Sequence, residues 1–329
     1  MIAIEITEVG GGPEVLKPVE MPIPSPGPDE VLVRVHATGI NHGDVGQRRG
    51  IYPPPKGVTP IPGLEVAGTV AATGAGVSRW KEGDAVCGLV AGGGYAEYCL
   101  VPAGQCLPIP AGMSFVQAAS LIEAYATVWS NVWQRARLAK GETLLVHGGS
   151  GGIGVAAIQL AAAVGNPVIA TAGSEEKCRF CSDLGALRAI NYKTEDFVEA
   201  CRAATEGRGA DVILDMVGIP YLGRNLKALA DEGRLVLIGQ LQKKGTPEFN
   251  IGEVMFRRLT VTGSTLRARP VAYKTALLAE VEAVIWPLIS AGKIRPIVHA
   301  TFPLTAASTA HAFMETGQHM GKLVLTSEG

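Results

Sequence analysis

Leu144-Leu145-Val146-His147-Gly148-Gly149-Ser150-Gly151-Gly152-Ile153-Gly154 is the stretch that decides the reading of this chain. An apolar strand runs into a glycine-dense turn, and a smooth apolar helix from Val155 to Val164 follows. Glycines at 149, 151 and 154 fit G-x-G-x-x-G, and those at 148, 151 and 154 fit G-x-x-G-x-x-G. In either register the missing side chains let backbone N–H groups and the positive helix N-terminus approach a pyrophosphate. A chain with 42 glycines produces isolated matches by chance; the strand before and the helix after make this one specific. Residues Gly148, Gly149, Ser150, Gly151, Gly152, Ile153 and Gly154 are therefore expected to hold a dinucleotide, the alternative being a tight structural turn.

At 329 residues, the chain is long enough for two domains. Its 47% hydrophobic and 18% charged content supplies a large core. With a net charge of -1 and no basic run longer than the pairs Arg257-Arg258 and Lys243-Lys244, neither a nucleic-acid nor an anionic-membrane partner is expected. The alternating start Met1-Ile-Ala-Ile-Glu-Ile-Thr reads as a strand, not a signal peptide, so a cytoplasmic location is expected. Thr143 to Ser174 contains no Asp, Glu, Lys or Arg, but the glycine turn and Asn166-Pro167 break it into pieces too short to span a bilayer. The six cysteines form no disulfide framework, and Cys178-x-x-Cys181 reads as two small residues on a helix.

From Thr143 onward strand and helix alternate, as a parallel doubly wound sheet demands. Strands read at 143–147, 167–171, 188–191, 210–215, 233–239 and 259–264, and helices at 152–164, 175–184, 195–204, 220–230 and 250–257. The first 120 or so residues differ: short alternating segments (30–37, 66–72, 95–101) lie between Pro- and Gly-rich turns, which describes an irregular, mainly β domain. A long helix near 271–291 and strands at 297–302 and 322–326 close the chain. The expected fold is α/β, with a Rossmann unit at 123–265 inserted into a mainly β domain made of 1–122 plus 266–329.

The cofactor's identity is read just after the second strand. An Asp or Glu there would bind the ribose 2′-hydroxyl of NAD, but the chain has Thr171-Ala172-Gly173-Ser174-Glu175-Glu176-Lys177. Ser174 suits an N-cap and the two glutamates suit the first helical turn. Lys177 does not, unless an anion such as a 2′-phosphate sits there, and Tyr192 is placed to add a hydroxyl. Gly173, Ser174, Lys177 and Tyr192 thus favour NADPH. The competing reading leaves Lys177 in solvent and gives Glu175 to the ribose of NAD.

Several strings together carry a family likeness: Gly39-Ile-Asn-His-Gly-Asp44, Pro62-Gly-Leu-Glu-Val-Ala-Gly68, Gly92-Gly-Gly-Tyr-Ala-Glu-Tyr98, Gly148 to Gly154, and Gly321-Lys-Leu-Val-Leu325. The chain resembles the medium-chain dehydrogenase/reductase superfamily along essentially its whole length. Within it, Ala172-Gly-Ser-x-x-Lys177, Asn191-Tyr-Lys and Ile213-Leu-Asp215 are most similar to zinc-free NADPH:quinone oxidoreductases of the tumour-suppressor-inducible, zeta-crystallin-like type. The resemblance implies a GroES-like catalytic domain around the Rossmann unit and a substrate cleft between the two. The zinc enzymes of the superfamily carry Cys where this chain has Asn41 and His where it has Leu64, and leucine cannot bind zinc. No metal is expected, and the chemistry should suit an acceptor that needs no Lewis acid, such as a quinone.

Asn41 is then a candidate amide donor to a quinone oxygen, and Tyr52 either a ring face or hydroxyl for the substrate or a loop tyrosine packed beside the Pro53-Pro54-Pro55 turn, with Asp44 fixing the loop. The resemblance further implies that Thr127 contacts the nicotinamide end. It places Val217, Gly239, Gln240, Ser264, Thr265 and Leu266 along nicotinamide and ribose, and His319 at a polar cofactor contact. Arg267 could reach a phosphate or pair at the surface. Leu121-Ile-Glu-Ala-Tyr125 departs from the relatives' Ile-Pro-Glu-Ala-Trp, so the pocket walls differ. An enone or enoyl C=C reductase with Tyr52 as proton donor, and a non-catalytic NADPH-binding protein, are the alternatives. The alternating strand 259–264 is expected to pair with its symmetry mate in a homodimer.

Overall fold

A computed structural model describes residues 1–241 and 250–327; the pair Lys243-Lys244 lies outside them. The chain divides into two units, Met1–Ala124 with Leu266–Gly329, and Tyr125–Thr265.

The first unit is built on strands. A two-stranded ribbon joins β1 (Ile2–Ile6) to β2 (Leu16–Glu20). The larger sheet contains β3 (Glu30–Gly39), β4 (Glu65–Thr73), β5 (Ala85–Leu89), β6 (Tyr98–Pro102), β7 (Cys106–Pro108), β14 (Val298–Pro303) and β15 (Lys322–Thr326). Its order is β14-β15-β3-β4-β5-β7, with β6 also on β3. Alternation in β3 sends Val31, Val33 and Val35 into one core with Val66, Val70, Val86 and Val101. Ile4, Leu16, Ile40, Tyr95 and Leu325 form a second core. Helices α1 (His42–Arg48), α2 (Phe115–Ala118), α9 (Val271–Ser290) and α10 (Ala307–Glu315) complete the unit, and α3 (Ile122–Val128) carries the chain onward. The strand expected at 95–101 starts only at Tyr98. Before it, Tyr95 and Glu97 bond to Ile4 and Ile2 of β1.

The second unit holds β8 (Leu144–Val146), β9 (Val168–Ala172), β10 (Arg188–Asn191), β11 (Ala210–Asp215), β12 (Leu229–Leu237) and β13 (Thr260–Gly263). Every pairing is parallel and the order is β10-β9-β8-β11-β12-β13. The order reverses between β8 and β11, and beyond their carboxyl ends lies the ligand crevice of such a fold. The crossover helices are α4 (Gly152–Val164), α5 (Glu175–Asp183), α6 (Phe197–Ala204), α7 (Leu222–Ala228) and α8 (Ile251–Phe256). Helix α4 is apolar almost all round because it packs on the sheet, and Gly165 ends it at φ 88°. The helix expected at 220–230 stops at Ala228: Leu229 turns extended and starts β12, where it and Leu235 join the core of β11. No helix among the described residues is long and apolar enough to cross a membrane.

Candidate functional site

The glycines of the 148–154 turn do different jobs. Gly148 takes φ 65°, a conformation open to glycine. A Cβ on Gly149 would come within 2.8 Å of the Ala170 methyl and 2.9 Å of the Cys181 sulfur, so this residue packs turn against strand and helix. A Cβ on Gly154 would overlap the Gly148 carbonyl and stand 2.5 Å from the Gly149 Cα. Gly151 is the exception. As the N-cap of α4 it is extended (φ -83°, ψ 173°), and a Cβ there would meet only the Gly148 oxygen, at 3.5 Å. With Gly151, Gly152 and Ile153 only half-buried and the first-turn N–H groups lacking helical partners, this turn fits a pyrophosphate. Ser150 is buried in it.

A buried polar chain sets the ends of three strands beside this turn. The Asp215 carboxylate closes β11 by accepting the N–H of Val217 at 2.6 Å and of Gly218 at 3.2 Å. Asn225 Nδ2 donates to its other oxygen at 2.9 Å, which leaves Asn225 Oδ1 to accept from His147 Nε2 at 2.7 Å. His147 Nδ1 then accepts the Thr171 hydroxyl at 3.0 Å. The direction follows from the acid end: a carboxylate only accepts, so each earlier group must donate toward it. Burial pushes the Asp215 carboxyl up to about 6 and the His147 imidazole down to about 4, which keeps the ring neutral as the chain requires. Sequence reading missed this chain; its one signal was a histidine closing an apolar strand.

At the end of β9, Ser174 caps α5 by accepting the Lys177 N–H at 3.2 Å. The Tyr192 hydroxyl lies over Gly173, where a Cβ would come within 2.6 Å of it. Tyr192 is exposed and Lys177 half-buried. Burial lowers the ammonium's pKa; the nearby thiol of Cys181 opposes this, and Lys193 adds to it. Gly173, Ser174, Tyr192 and the backbone of Lys177 therefore meet in one place, and Lys193 and Glu176 both act on the Lys177 ammonium. The carboxylate of Glu175, offered for the ribose in the NAD reading, instead accepts from Asn191 Nδ2 at 2.7 Å. Cys178 and Cys181 are buried and burial pushes both thiols up, Cys181 to about 12.

Thr127 and Ser264 are joined through a residue not foreseen. After α3 the chain widens into a π turn, Trp129–Arg135, which aims Asn131 back at both. Its Nδ2 donates to the Thr127 carbonyl at 2.8 Å and its Oδ1 accepts the Ser264 hydroxyl at 2.7 Å. Val217 and the pair Gly239-Gln240 are also neighbours, since a Cβ on Gly218 would lie 2.9 Å from Gln240 Cγ. The Val217 N–H is taken up by Asp215. Thr265 is exposed at the end of the second unit.

The remaining candidates belong to the first unit. Asn41 precedes α1, and Asp44 accepts the Asn41 N–H at 2.8 Å and the Gly63 N–H at 2.9 Å, so Asp44 does fix this loop. Burial raises its carboxyl to about 6. The Asn41 side chain is already engaged: Nδ2 donates to Glu65 Oε1 at 2.9 Å and lies 3.4 Å from the Gly39 carbonyl. Lys322 Nζ donates to Asn41 Oδ1 and to Glu65 Oε1, each at 2.6 Å. Tyr52 packs under α1, with Gly43 and Gly46 making room for its ring. Leu266 is half-buried and His319 buried in this unit.

Arg267 corrects its expectation. It is buried, and donates to the Ala91 carbonyl at 2.5 Å, the Tyr52 carbonyl at 3.0 Å and Gln47 Oε1 at 2.6 Å. It staples the Tyr52 loop from inside the first unit and does not pair at the surface. The position that holds zinc in related enzymes does not fit a metal here. Leu64 offers no ligand, Asn41 only an amide, and an ammonium already neutralises Glu65.

Comparison with known proteins agrees with this geometry. Residues 27–111 match the family "Alcohol dehydrogenase GroES-like domain" and residues 152–283 the family "Zinc-binding dehydrogenase". Rat quinone oxidoreductase is 33% identical over 328 residues, covering 99% of this chain and 97% of that protein. Among solved structures, an NAD-dependent alcohol dehydrogenase superposes with a TM-score of 0.88 at 34% identity, over 100% of both chains. Escherichia coli quinone oxidoreductase complexed with NADPH gives 0.89 at 33%, over 99% of this chain and 100% of that one. The CurK enoyl reductase gives 0.87 at 28%, over 99% of each.

Proposed function

The chain belongs to the medium-chain dehydrogenase/reductase superfamily of oxidoreductases, alongside the quinone oxidoreductases, and from that premise we propose that it reduces quinones with NADPH and without a metal. The observation that carries the reading is the end of β9. No carboxylate stands there, and Gly173, Ser174, Lys177 and Tyr192 form a polar, cationic corner suited to a 2′-phosphate. The Gly148–Gly154 turn supports the pyrophosphate, with Gly151 leaving the backbone bare. Thr127, Ser264, Val217, Gly239 and Gln240 are the groups for the nicotinamide half, with Thr265, Leu266 and His319 as further contacts. NADPH supplies the reducing hydride; the chain's own residues bind, orient and exclude water. A quinone suits such a site because its reduction restores aromaticity and its protons can come from water.

The partly buried Tyr52 hydroxyl and the likeness to an enoyl reductase favour a second reading, reduction of an activated C=C bond. One assay separates them: NADPH and NADH oxidation with 1,2- and 1,4-quinones against enones and crotonyl thioesters. Turnover of quinones with NADPH preferred is expected. Turnover of the enones and thioesters alone would replace the first reading by the second, and tight NADPH binding without any turnover would remove both.

The reading extends to assembly. β13 is the edge of its sheet and exposes Val261, while α8 exposes Ile251, Met255 and Phe256, the last 74% accessible. A homodimer through this edge would cover unpaired backbone and apolar surface together. A monomer in sedimentation velocity at micromolar concentration would exclude it.

A further inference from the structure

The motif Gly321-Lys322-Leu-Val-Leu325 contains a lysine that the reading above leaves without a task. Lys322 opens β15 with its side chain buried, 6% accessible, against the wholly buried Glu65. Its ammonium touches both Asn41 Oδ1 and Glu65 Oε1, and Asn41 Nδ2 touches that same carboxylate oxygen. The second carboxylate oxygen accepts the Glu123 N–H at 3.1 Å. The backbone is shaped to admit this cluster. A Cβ at Gly39 would overlap the Glu65 carboxylate and the Ala119 carbonyl, and Gly321 makes its turn into the strand at φ 90°.

A buried ion pair of this kind adds little net stability, because removing two charges from water costs about what their attraction returns. What it does supply is direction. An amide has an oxygen end and a nitrogen end, and here the oxygen faces a cation and the nitrogen an anion. Flipping Asn41 would set N–H against ammonium and carbonyl against carboxylate, two repulsions at hydrogen-bond distance. In the orientation held, one N–H is committed to Glu65. Among the described residues the other has only the Gly39 carbonyl at 3.4 Å, a contact too long to hold it firmly.

We propose that Lys322 is a positioning residue: with Glu65 it locks the Asn41 amide so that its one weakly held N–H is presented to the carbonyl oxygen of the acceptor. This rests on the reductase reading. The Lys322 charge orients an amide and does not bind the substrate.

The test uses the full chain. Lys322→Met alone strands a buried carboxylate and is expected to fold poorly, so the decisive variant is Lys322→Met with Glu65→Gln, which removes both charges. It should bind NADPH within about twofold of wild type by fluorescence quenching. Its kcat/KM for the acceptor should fall at least tenfold, while KM for NADPH holds. In ligand-free protein, the Asn41 side-chain amide resonances, held apart and sharp in wild type, should shift and broaden as the amide gains a second orientation. Unchanged kcat/KM, or unchanged Asn41 resonances in the double variant, would overturn the proposal. Absence of turnover in wild type with every acceptor would defeat the reductase reading instead, and the resonances would still decide the orientation.

Discussion

Two alanine substitutions three residues apart in the 148–154 turn should have opposite consequences. At Gly151 the backbone is extended at φ -83°, ψ 173°, which alanine accepts, and the new methyl meets one carbonyl oxygen at 3.5 Å. Gly151→Ala should therefore leave the free protein as stable as wild type or more so, by about 0.4–1 kcal/mol through the unfolded chain. Its methyl would occupy the approach to the pyrophosphate. Losing one charge-assisted N–H contact of about 1.5–3 kcal/mol weakens NADPH binding roughly 10- to 150-fold. At Gly154 the methyl would stand 2.5 Å from the Gly149 Cα and overlap the Gly148 carbonyl. Both neighbours are backbone of the same tight turn and cannot swing aside. Gly154→Ala should cost about 3 kcal/mol, the upper range of overpacking, and lower Tm by roughly 6–12 °C at about 2–4 °C per kcal/mol. Differential scanning calorimetry without ligand and NADPH titration by fluorescence measure the two quantities. A Gly151→Ala protein that binds NADPH as wild type would refute the placement of the phosphates, and a Gly154→Ala protein of wild-type stability would refute the packing argument.

Lys177→Glu should weaken NADPH by at least tenfold and NADH by less than about threefold, since only the former carries the anion that Lys177 would meet; equal losses in parallel titrations would show that no 2′-phosphate sits there. Asp44 has a carboxyl raised by burial from 3.8 to about 6. The folded state therefore holds this proton more tightly than the unfolded chain, a stability present below about pH 4 and lost as pH rises through 6. Asp44→Asn removes that dependence. Wild-type stability minus variant stability should fall by about 2 kcal/mol between pH 4 and pH 6.5, out of about 3 kcal/mol over the whole titration at about 1.4 kcal/mol per pKa unit. Urea denaturation at four pH values checks this, and a difference independent of pH would sink it.

The fold was legible because its signals are local and periodic. The strands at 188–191, 210–215 and 322–326 and the helix at 152–164 match the observed limits residue for residue. Each is a short run with an apolar centre closed off by glycine or by polar residues. The misjudged boundaries share a cause. At Leu229 and at Tyr95 the chain changes partner while its hydrophobicity does not, and only the tertiary neighbour, β11 in one case and β1 in the other, decides the conformation. The glycine turn could be located from its spacing, yet spacing could not tell Gly151, which faces open space, from Gly154, which faces backbone. Arg267 and Lys322 were the least legible. A lone basic residue at a strand end reads as solvated, and nothing nearby in sequence announces Gln47, Ala91 or Glu65 as its partner.

Those distant partners share a physical reason. The loops that these residues hold are rich in glycine, with Gly63 at φ 100° and Gly218 at φ 91°. They cannot be held by burial, which scales with apolar area. Their backbone N–H and C=O groups still require partners, and the core supplies these as side chains: Asp44 for Asn41 and Gly63, Asp215 for Val217 and Gly218, Arg267 for Tyr52 and Ala91. A hydrogen bond is directional where dispersion is not, so each loop gains a set orientation as well as a place. The desolvation this costs is seen in the raised carboxyls of Asp44 and Asp215, both near 6. Above that value the carboxylates are ionised and their grip on the N–H groups is charge-assisted. Because both values are raised, the closed loops hold the carboxyl proton more tightly than hydrated ones would, so the cost of ionisation is a loss of stability as pH rises through 6, and acid does not loosen the Asn41 and Val217 loops through these groups.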